Sequence, residues 1–316
     1  MKSNLKKIVL LLGLPLTYFS ALWLRFTSNG PRLQSNDKIF SDLGILPILD
    51  HYYQPLTNPK KHLKKSLRED RVLKGIDWNI ERQLEILNQF HFADELKEFP
   101  LEKQKHAEYY YNNSMYASGD SEYLYSMVRF FKPRRIIEIG SGNSTLMVIN
   151  AIERNFVENS EYKCTHICIE PYEQPWLEKV NVELRRDKVE EIELSFFETL
   201  EKDDFLFIDS SHVIRPQGDV LFEILEILPI LQPGVIVHIH DIFSPKDYLD
   251  EWIFGDKKLW NEQYLLEAFL SFNSKFEIIG AVNFLSHKYR EVFGEKFPIF
   301  KSQTGREPGA FWIRRI

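Results

Sequence analysis

Two hydrophobic patterns divide the chain. From Ile8 to Leu24 it is uncharged and mostly apolar, with Leu10, Leu11, Leu12, Leu14, Leu22, Trp23 and Leu24. From about Pro133 onward, short runs of consecutive apolar residues alternate with stretches of helical spacing. The runs are Ile136–Ile139, His166–Ile169, Val182–Arg185, Phe205–Ile208, Val235–Ile239, Phe276–Ile279 and Ala310–Ile313. Between the first five lie candidate helices: one with Leu146, Ile149 and Ile152, one near Trp176 and Leu177, one from Val189 to Leu200, and one with Val220, Leu221, Ile224, Leu225 and Leu228. A fifth stretch, with Tyr264, Leu265, Phe269 and Leu270, precedes the sixth run. Strands apolar on both faces and separated by helices predict a doubly wound, mostly parallel α/β sheet. The last two runs are joined by a predicted loop from about Ser286 to Gly309, which allows an antiparallel closing strand and gives seven strands.

The N-terminal run is seventeen residues long, the short end of what spans a bilayer as a helix. Lys6 and Lys7 precede it and Arg25 closes it. It reads as a membrane anchor or as a cleaved signal peptide, and no small-x-small cleavage site follows Arg25. Lys2, Lys6 and Lys7 before it roughly balance Arg25, Arg32 and Lys38 after it, so charge does not fix its orientation. Residues 1–30 are therefore expected to be an anchor ending in the linker Thr27-Ser28-Asn29-Gly30-Pro31. Residues 31–108 are expected to form a helical extension, and 109–316 the main domain. In the extension, Asp77 is placed to cap a helix carrying Ile80, Leu84 and Leu87. The cluster Lys60, Lys61, Lys64 and Lys65 suits a solvated face balanced by Glu69 and Asp70, or anionic headgroups. Tyr109, Tyr110 and Tyr111, with His51, Tyr52 and Tyr53, suit a packed core better than an acceptor pocket.

Composition narrows the choice of partner. With 44% hydrophobic residues, 316 residues can bury a large core. A formal net charge of -6 argues against a general nucleic-acid binder, which needs a basic face. The two cysteines, Cys164 and Cys168, share one predicted strand. Their Cα atoms would lie roughly 13 Å apart, too far for a disulfide.

Doubly wound sheets bind ligands beyond the carboxyl ends of their strands. The first strand runs into Glu138-Ile139-Gly140-Ser141-Gly142-Asn143-Ser144-Thr145. Its glycines permit a tight turn and close backbone approach. It lacks the third glycine of a dinucleotide fingerprint and the lysine of a P-loop. The second strand ends in Glu170, an acid able to accept from both ribose hydroxyls. Together they point to a nucleoside site, which leaves a nicotinamide-linked oxidoreductase as the rival enzyme.

At this point the chain resembles the class I S-adenosylmethionine (SAM)-dependent methyltransferases, and among them a bacterial group known as methyltransferase family 24. The residues that carry the likeness are Ile136 to Thr145, Glu170, Tyr116-Ala117-Ser118-Gly119-Asp120, Asp209-Ser210-Ser211-His212 and Pro308-Gly309-Ala310-Phe311-Trp312-Ile313. The resemblance covers roughly Tyr110 to the C-terminus. It implies a Rossmann-like fold with SAM as cofactor. Glu138 and Gly140 would line the methionine end, with Ser141, Gly142, Asn143 and Ser144 forming the turn beneath it. Glu170 would hold the ribose, flanked by Tyr172. Tyr116, Ser118 and Asp120 would meet the amino-acid group. Asp187 suits adenine or a surface helix cap equally.

The fourth strand ends in Asp209-Ser210-Ser211-His212 and the fifth in His238-Ile239-His240-Asp241. Methyl transfer to oxygen needs a base or a Lewis acid, and His212 or His240 suits the base. Asp209 and Asp241 resemble two metal-binding acids of catechol O-methyltransferase-like enzymes, where an Asn follows the second acid. Here Ile242 follows it, so the base carries the reading and a divalent metal is the minority alternative. The expected acceptor is a small-molecule, glycan or lipid-linked hydroxyl. The expected location is a membrane, with the catalytic domain on the cytoplasmic side where SAM is made. A non-catalytic, membrane-tethered scaffold on the same fold is the remaining alternative.

Overall fold

The computed structural model describes residues 2–29, 33–51, 53–105 and 107–316. Gly30 and Pro31 of the expected linker, Arg32 and Tyr52 lie outside them. The chain divides into two units, one of residues 1–66 with 253–259 and one of 67–252 with 260–316.

In the first unit the N-terminal apolar run is two helices, Lys2–Leu12 and Leu14–Thr27, bent by 60° at Gly13. Among the described residues no single helix is long and apolar enough to cross a membrane, although this bent pair passes by length and composition together. The one continuous helix expected over Ile8–Leu24 is therefore broken, where Gly13 lowers helix propensity and Pro15 supplies no N–H to the preceding turn. No residue of Leu14–Thr27 is buried. Leu12, Leu16, Phe19, Trp23 and Phe26 are each more than 60% exposed, an unusually apolar outward face. Further along, Asp50 accepts the Asn58 N–H and pairs with Lys61 and His62.

The second unit is built on a seven-stranded sheet: β1 (Arg135–Ile139), β2 (Thr165–Ile169), β3 (Glu183–Arg185), β4 (Phe205–Ile208), β5 (Ile236–Ile239), β6 (Phe276–Ala281) and β7 (Phe311–Arg315). Its order is β3-β2-β1-β4-β5-β7-β6. The first five strands are parallel, and β7 is antiparallel to both β5 and β6, as the apolar runs predict. Alternate residues feed two cores. Ile136, Phe205, Phe207 and Ile236 pack with Met147, Val148 and Trp312 on one face. Ile137, Leu206, Ile208, Val237 and Ile239 pack with Ile224, Ile227, Leu266 and Leu270 on the other. That double burial is why these strands lack the polar alternation of a half-exposed sheet.

Three sequence expectations change. The 286–309 loop is mostly helical: Val282–Lys288, Arg290–Lys296 and Pro298–Ser302. Phe293, Phe297 and Phe300 are spaced to share one buried stripe against Phe90 and Tyr123. Pro298 starts the last of these helices rather than ending structure. The helix expected over Val189–Leu200 is two short 3₁₀ turns. Asp77 does not cap the Ile80–Gln89 helix itself; Asn79 holds that position, and Asp77 accepts the Asn79 N–H. Asp70 pairs with Lys246 and Lys288. Tyr109 and Tyr111 are core residues, and both cysteines are free thiols.

Candidate active site

The ends of β1, β2 and β4 converge on one edge. Ile139 leads into the Gly140–Gly142 turn, which starts the helix Asn143–Glu158. Gly140 has φ +77, and a side chain there would overlap the main-chain carbonyl oxygen of Asp209. Glycine is thus required both by conformation and by the close approach of β1 to β4. Gly142 differs: nothing lies within 4 Å of where its Cβ would stand. The Glu170 carboxylate reaches back over this turn. Its Oε1 accepts from the Tyr172 and Glu173 N–H groups at 3.0 and 2.9 Å, and its Oε2 lies 3.4 Å from the Ser141 nitrogen. The glycine turn and the acid therefore share one edge, on a cavity of about 410 Å³ that also meets Tyr172, Lys188, Asp209, Ser211 and Arg215.

These residues fit a nucleoside joined to an amino acid. The cavity is of ligand size. Ser141 Oγ is buried without a partner. A buried hydroxyl of that kind is satisfied when a polar ligand group meets it. Open space at Gly142 lets a ligand lie against the backbone.

Other expected contacts are placed differently. Glu138 is fully buried behind the turn rather than on the cavity wall. Its Oε1 accepts from Ser144 Oγ at 2.6 Å and Thr145 Oγ1 at 3.0 Å, and its Oε2 lies 2.7 Å from His166 Nε2. Glu138 and Ser144 thus hold the turn from below, because the strand pleat turns Glu138 inward. Asn143 faces a separate cavity of about 180 Å³ with Tyr110 and Trp176. Asp187 pairs with Arg185 at the surface, and the next three residues, Lys188 to Glu190, line the main cavity instead. Tyr116 is buried with its hydroxyl unpartnered and its ring 4.8 Å from that of His240. Ser118 Oγ donates to Gln303 at 2.6 Å. Asp120 accepts the Gly309 and Ala310 N–H groups, tying the N-terminal side of the site to the strand before β7.

At the ends of β4 and β5 all four expected reaction-centre residues meet. His240 Nδ1 lies 3.3 Å from Asp209 Oδ1 and 3.7 Å from Asp241 Oδ1, and its Nε2 lies 3.6 Å from Asp120. His212 Nε2 lies 3.3 Å from Asp209 Oδ1 and 3.6 Å from Asp241 Oδ2. His212 and Asp241 adopt φ +59 and +57, strained values for side-chain-bearing residues at strand ends. Burial opposes charge on both imidazoles, yet the surrounding acids lift both well above the usual histidine range. Burial would likewise raise Asp209, but His240 and His212 hold it well below the usual carboxylate range. Burial pushes Asp241 up.

A second tier of acids supports this centre, and sequence reasoning did not find it. Glu262, fully buried, places Oε2 2.8 Å from His212 Nδ1. Ser210 Oγ donates to buried Glu223, and Ser211 Oγ to Asp219. An acid opening the helix Glu262–Leu270 reads locally as a partner for the helix dipole, so no local signal ties it to a histidine fifty residues earlier.

Asp209, His240 and Asp241 bring one donor atom each within 4.8 Å of one another. They do not fit the all-oxygen set that magnesium prefers. Ile242, where an Asn ligand would be expected, is buried in the apolar core, and imidazole stands where oxygen is wanted.

The chain is similar to several known proteins. Residues 137–242 match a family model described as a methyltransferase domain. An uncharacterised protein of Archaeoglobus fulgidus is 30% identical over 164 residues, covering 48% of this chain and 72% of that one. Among solved structures, an O-methyltransferase from Bacillus cereus in complex with SAH is 13% identical, with TM-score 0.36, covering 82% of this chain and 94% of that one. PKMT2 from Rickettsia typhi in complex with AdoHcy is 14% identical, with TM-score 0.34, and the match covers 62% of this chain and 53% of that one.

Proposed function

The chain belongs to the class I SAM-dependent methyltransferases, and from that premise we propose that it methylates a hydroxyl group, with the base supplied at the ends of β4 and β5. When bound, SAM supplies an electrophilic methyl group on a sulfonium. The residues of this chain do the rest. Glu170 offers its carboxylate to the ribose hydroxyls, and the Gly140–Gly142 turn leaves room for the methionine portion. Asp209 lies on the same cavity and keeps its charge, which favours a neighbouring cation. A neutral His212 or His240 would accept the hydroxyl proton as the methyl group passes to the acceptor oxygen, with the electron pair of its C–S bond staying on the departing thioether. The proton then rests on an imidazolium stabilised by Asp209 and Asp241.

The observation that carries this reading is the single edge shared by the glycine turn, Glu170 and the two-histidine, two-aspartate cluster. Calorimetry with SAH and with NAD tests the cofactor; SAH binding with no NAD binding is the expected result. Methyl-labelled SAM incubated with extracted lipids and glycans then tests the acceptor. Label appearing only on amine or carboxyl products would overturn hydroxyl transfer. Loss of turnover in both His212→Ala and His240→Ala is expected, and full turnover in both would remove the base assignment.

We propose membrane attachment through the exposed apolar residues of Lys2–Leu12 and Leu14–Thr27, with the catalytic unit on the cytoplasmic side, where SAM is made. A lipid-linked or glycan acceptor would suit that location. Carbonate washing of membranes carrying the full chain tests it: retention in the pellet is expected, and release into the wash argues against attachment.

A further inference from the structure

Three consecutive residues, Trp260, Asn261 and Glu262, grip His212 from across the sheet edge. The Trp260 ring packs against the imidazole at a tilt of 37°, with centroids 4.3 Å apart. The main-chain N–H groups of Asn261 and Glu262 both donate to the His212 carbonyl, at 3.1 and 3.2 Å. The Asn261 side chain accepts from the Ile214 N–H at 2.6 Å. The Glu262 carboxylate meets His212 Nδ1 at 2.8 Å and has its other oxygen buried without a partner. Ring face, backbone and one ring nitrogen are thus all fixed. The remaining nitrogen, Nε2, is the one that faces Asp209 and Asp241.

We propose that Glu262 is the positioning residue for His212: it accepts the Nδ1 proton, so that the neutral ring keeps its lone pair on Nε2, aimed into the reaction centre. An imidazole has two neutral tautomers, and the group bonded at one nitrogen decides which is present. Without an acceptor at Nδ1, the proton would settle on Nε2 beside Asp209 and Asp241, leaving no base on the reactive side. Glu262 does not touch the reacting atoms. It acts through His212, as a buried acid does behind a catalytic imidazole. The catalytic consequence rests on the methyl-transfer reading above, whereas the tautomer can be measured without it.

The ionisable groups that act on His212 are Asp209, Asp241, Glu262 and Glu223; those that act on Glu262 include His212, Asp209, Asp241, Glu223 and Tyr248. Glu262→Gln keeps the side-chain shape and removes only the charge next to His212.

The test is imidazole nitrogen NMR on the full chain, with His212 assigned by comparison with His212→Gln. The wild type should show His212 protonated at Nδ1 in its neutral form, with a far-downfield proton. In Glu262→Gln the titration midpoint of His212 should fall by about one unit or more, while SAH affinity stays within about twofold. A folded Glu262→Gln protein with an unchanged His212 midpoint and tautomer overturns the proposal. Should that variant fail to fold, the wild-type spectrum decides: neutral His212 carrying its proton on Nε2 overturns it. Wild-type protein that shows the Nδ1 tautomer but binds no SAH would instead overturn the methyl-transfer reading and leave the clamp standing.

Discussion

Two glycines two residues apart, Gly140 and Gly142, make opposite predictions, and comparing them isolates the cofactor cradle from the fold. Gly140 sits at φ +77, where a side-chain-bearing residue costs about 1–2 kcal/mol. Its new methyl would also overlap the Asp209 carbonyl oxygen. Relief requires β1 and β4 to part at their ends. There Asp209 N–H donates to Ile139 at 2.9 Å and Gly140 N–H to Ile169 at 3.0 Å. Crowding of a close-packed interior adds about 1–3 kcal/mol. Gly140→Ala should therefore lose about 2–5 kcal/mol, which for a domain of this size lowers Tm by roughly 5–15 °C. Gly142 has an extended backbone, φ -167, and free space beyond its Cα. Gly142→Ala should melt within about 2 °C of wild type, since a compatible Gly→Ala change is neutral or mildly stabilising. Its methyl nevertheless projects where the ligand must lie, so SAH affinity should fall at least tenfold, about 1.4 kcal/mol. Thermal melts and SAH titration calorimetry on both variants measure this. If Gly142→Ala binds SAH as tightly as wild type, the turn is not the cradle. If Gly140→Ala melts like wild type, the steric argument for the β1–β4 edge is wrong.

Other expectations follow from the same geometry. Glu170→Ala should weaken SAH binding by about ten- to a hundredfold, since it removes a charge-assisted acceptor worth roughly 1.5–3 kcal/mol; unchanged calorimetry would deny Glu170 its ribose role. Glu138→Ala strands the Ser144 and Thr145 hydroxyls and His166 in the interior, so it should destabilise by about 3–5 kcal/mol, read as a lowered denaturant midpoint; a midpoint equal to wild type would show that the network is dispensable. The acids around His212 and His240 hold both above the usual histidine range, which favours the charged imidazolium over the neutral ring. A base must be neutral, so kcat/KM should climb with pH along a limb above the usual histidine range, and a limb at or below that range would refute the base assignment. Stability should run the other way: these ion pairs contribute fully below the ordinary imidazole pKa, and their contribution is lost as pH rises through the elevated ones. Chelators should leave turnover unchanged, and a loss that added transition-metal ion restores would revive the metal reading.

All the strands but the half-exposed edge strand β3 were legible because burial on both faces writes itself into consecutive apolar residues, a local signal that needs no partner to be read. The strand-end residues Gly140, Glu170, Asp209, His212, His240 and Asp241 were legible for a related reason: in a parallel sheet every strand delivers its carboxyl end to the same edge, so position along the chain is enough to place them. What escaped was of two kinds. The helices of 282–302 were obscured by Pro298 and Gly294, and their stripe of Phe293, Phe297 and Phe300 gains meaning only once Phe90 and Tyr123 are packed against it. Glu138 was misplaced by analogy, because its outward or inward aim depends on strand pleat and on His166, a residue from the neighbouring strand.

Glu262 illustrates the deeper limit. Nothing about an acid in the first turn of a helix distinguishes a dipole partner from a buried imidazole acceptor. The distinction lies in its zero exposure and in the left-handed backbone at His212, which turns that ring away from the course of β4 and toward residue 262. Strain of this kind costs about 1–3 kcal/mol per residue, and it persists where the surrounding contacts hold the residue in place. At His212 those contacts are the two N–H groups of Asn261 and Glu262, the Glu262 carboxylate and the Trp260 ring. The same segment that corrects the tautomer therefore also sustains the strained backbone. Reactive geometry in this fold is set by the pairing of strand-end residues with a helix start fifty residues away, and such pairs are visible only after the chain has closed on itself.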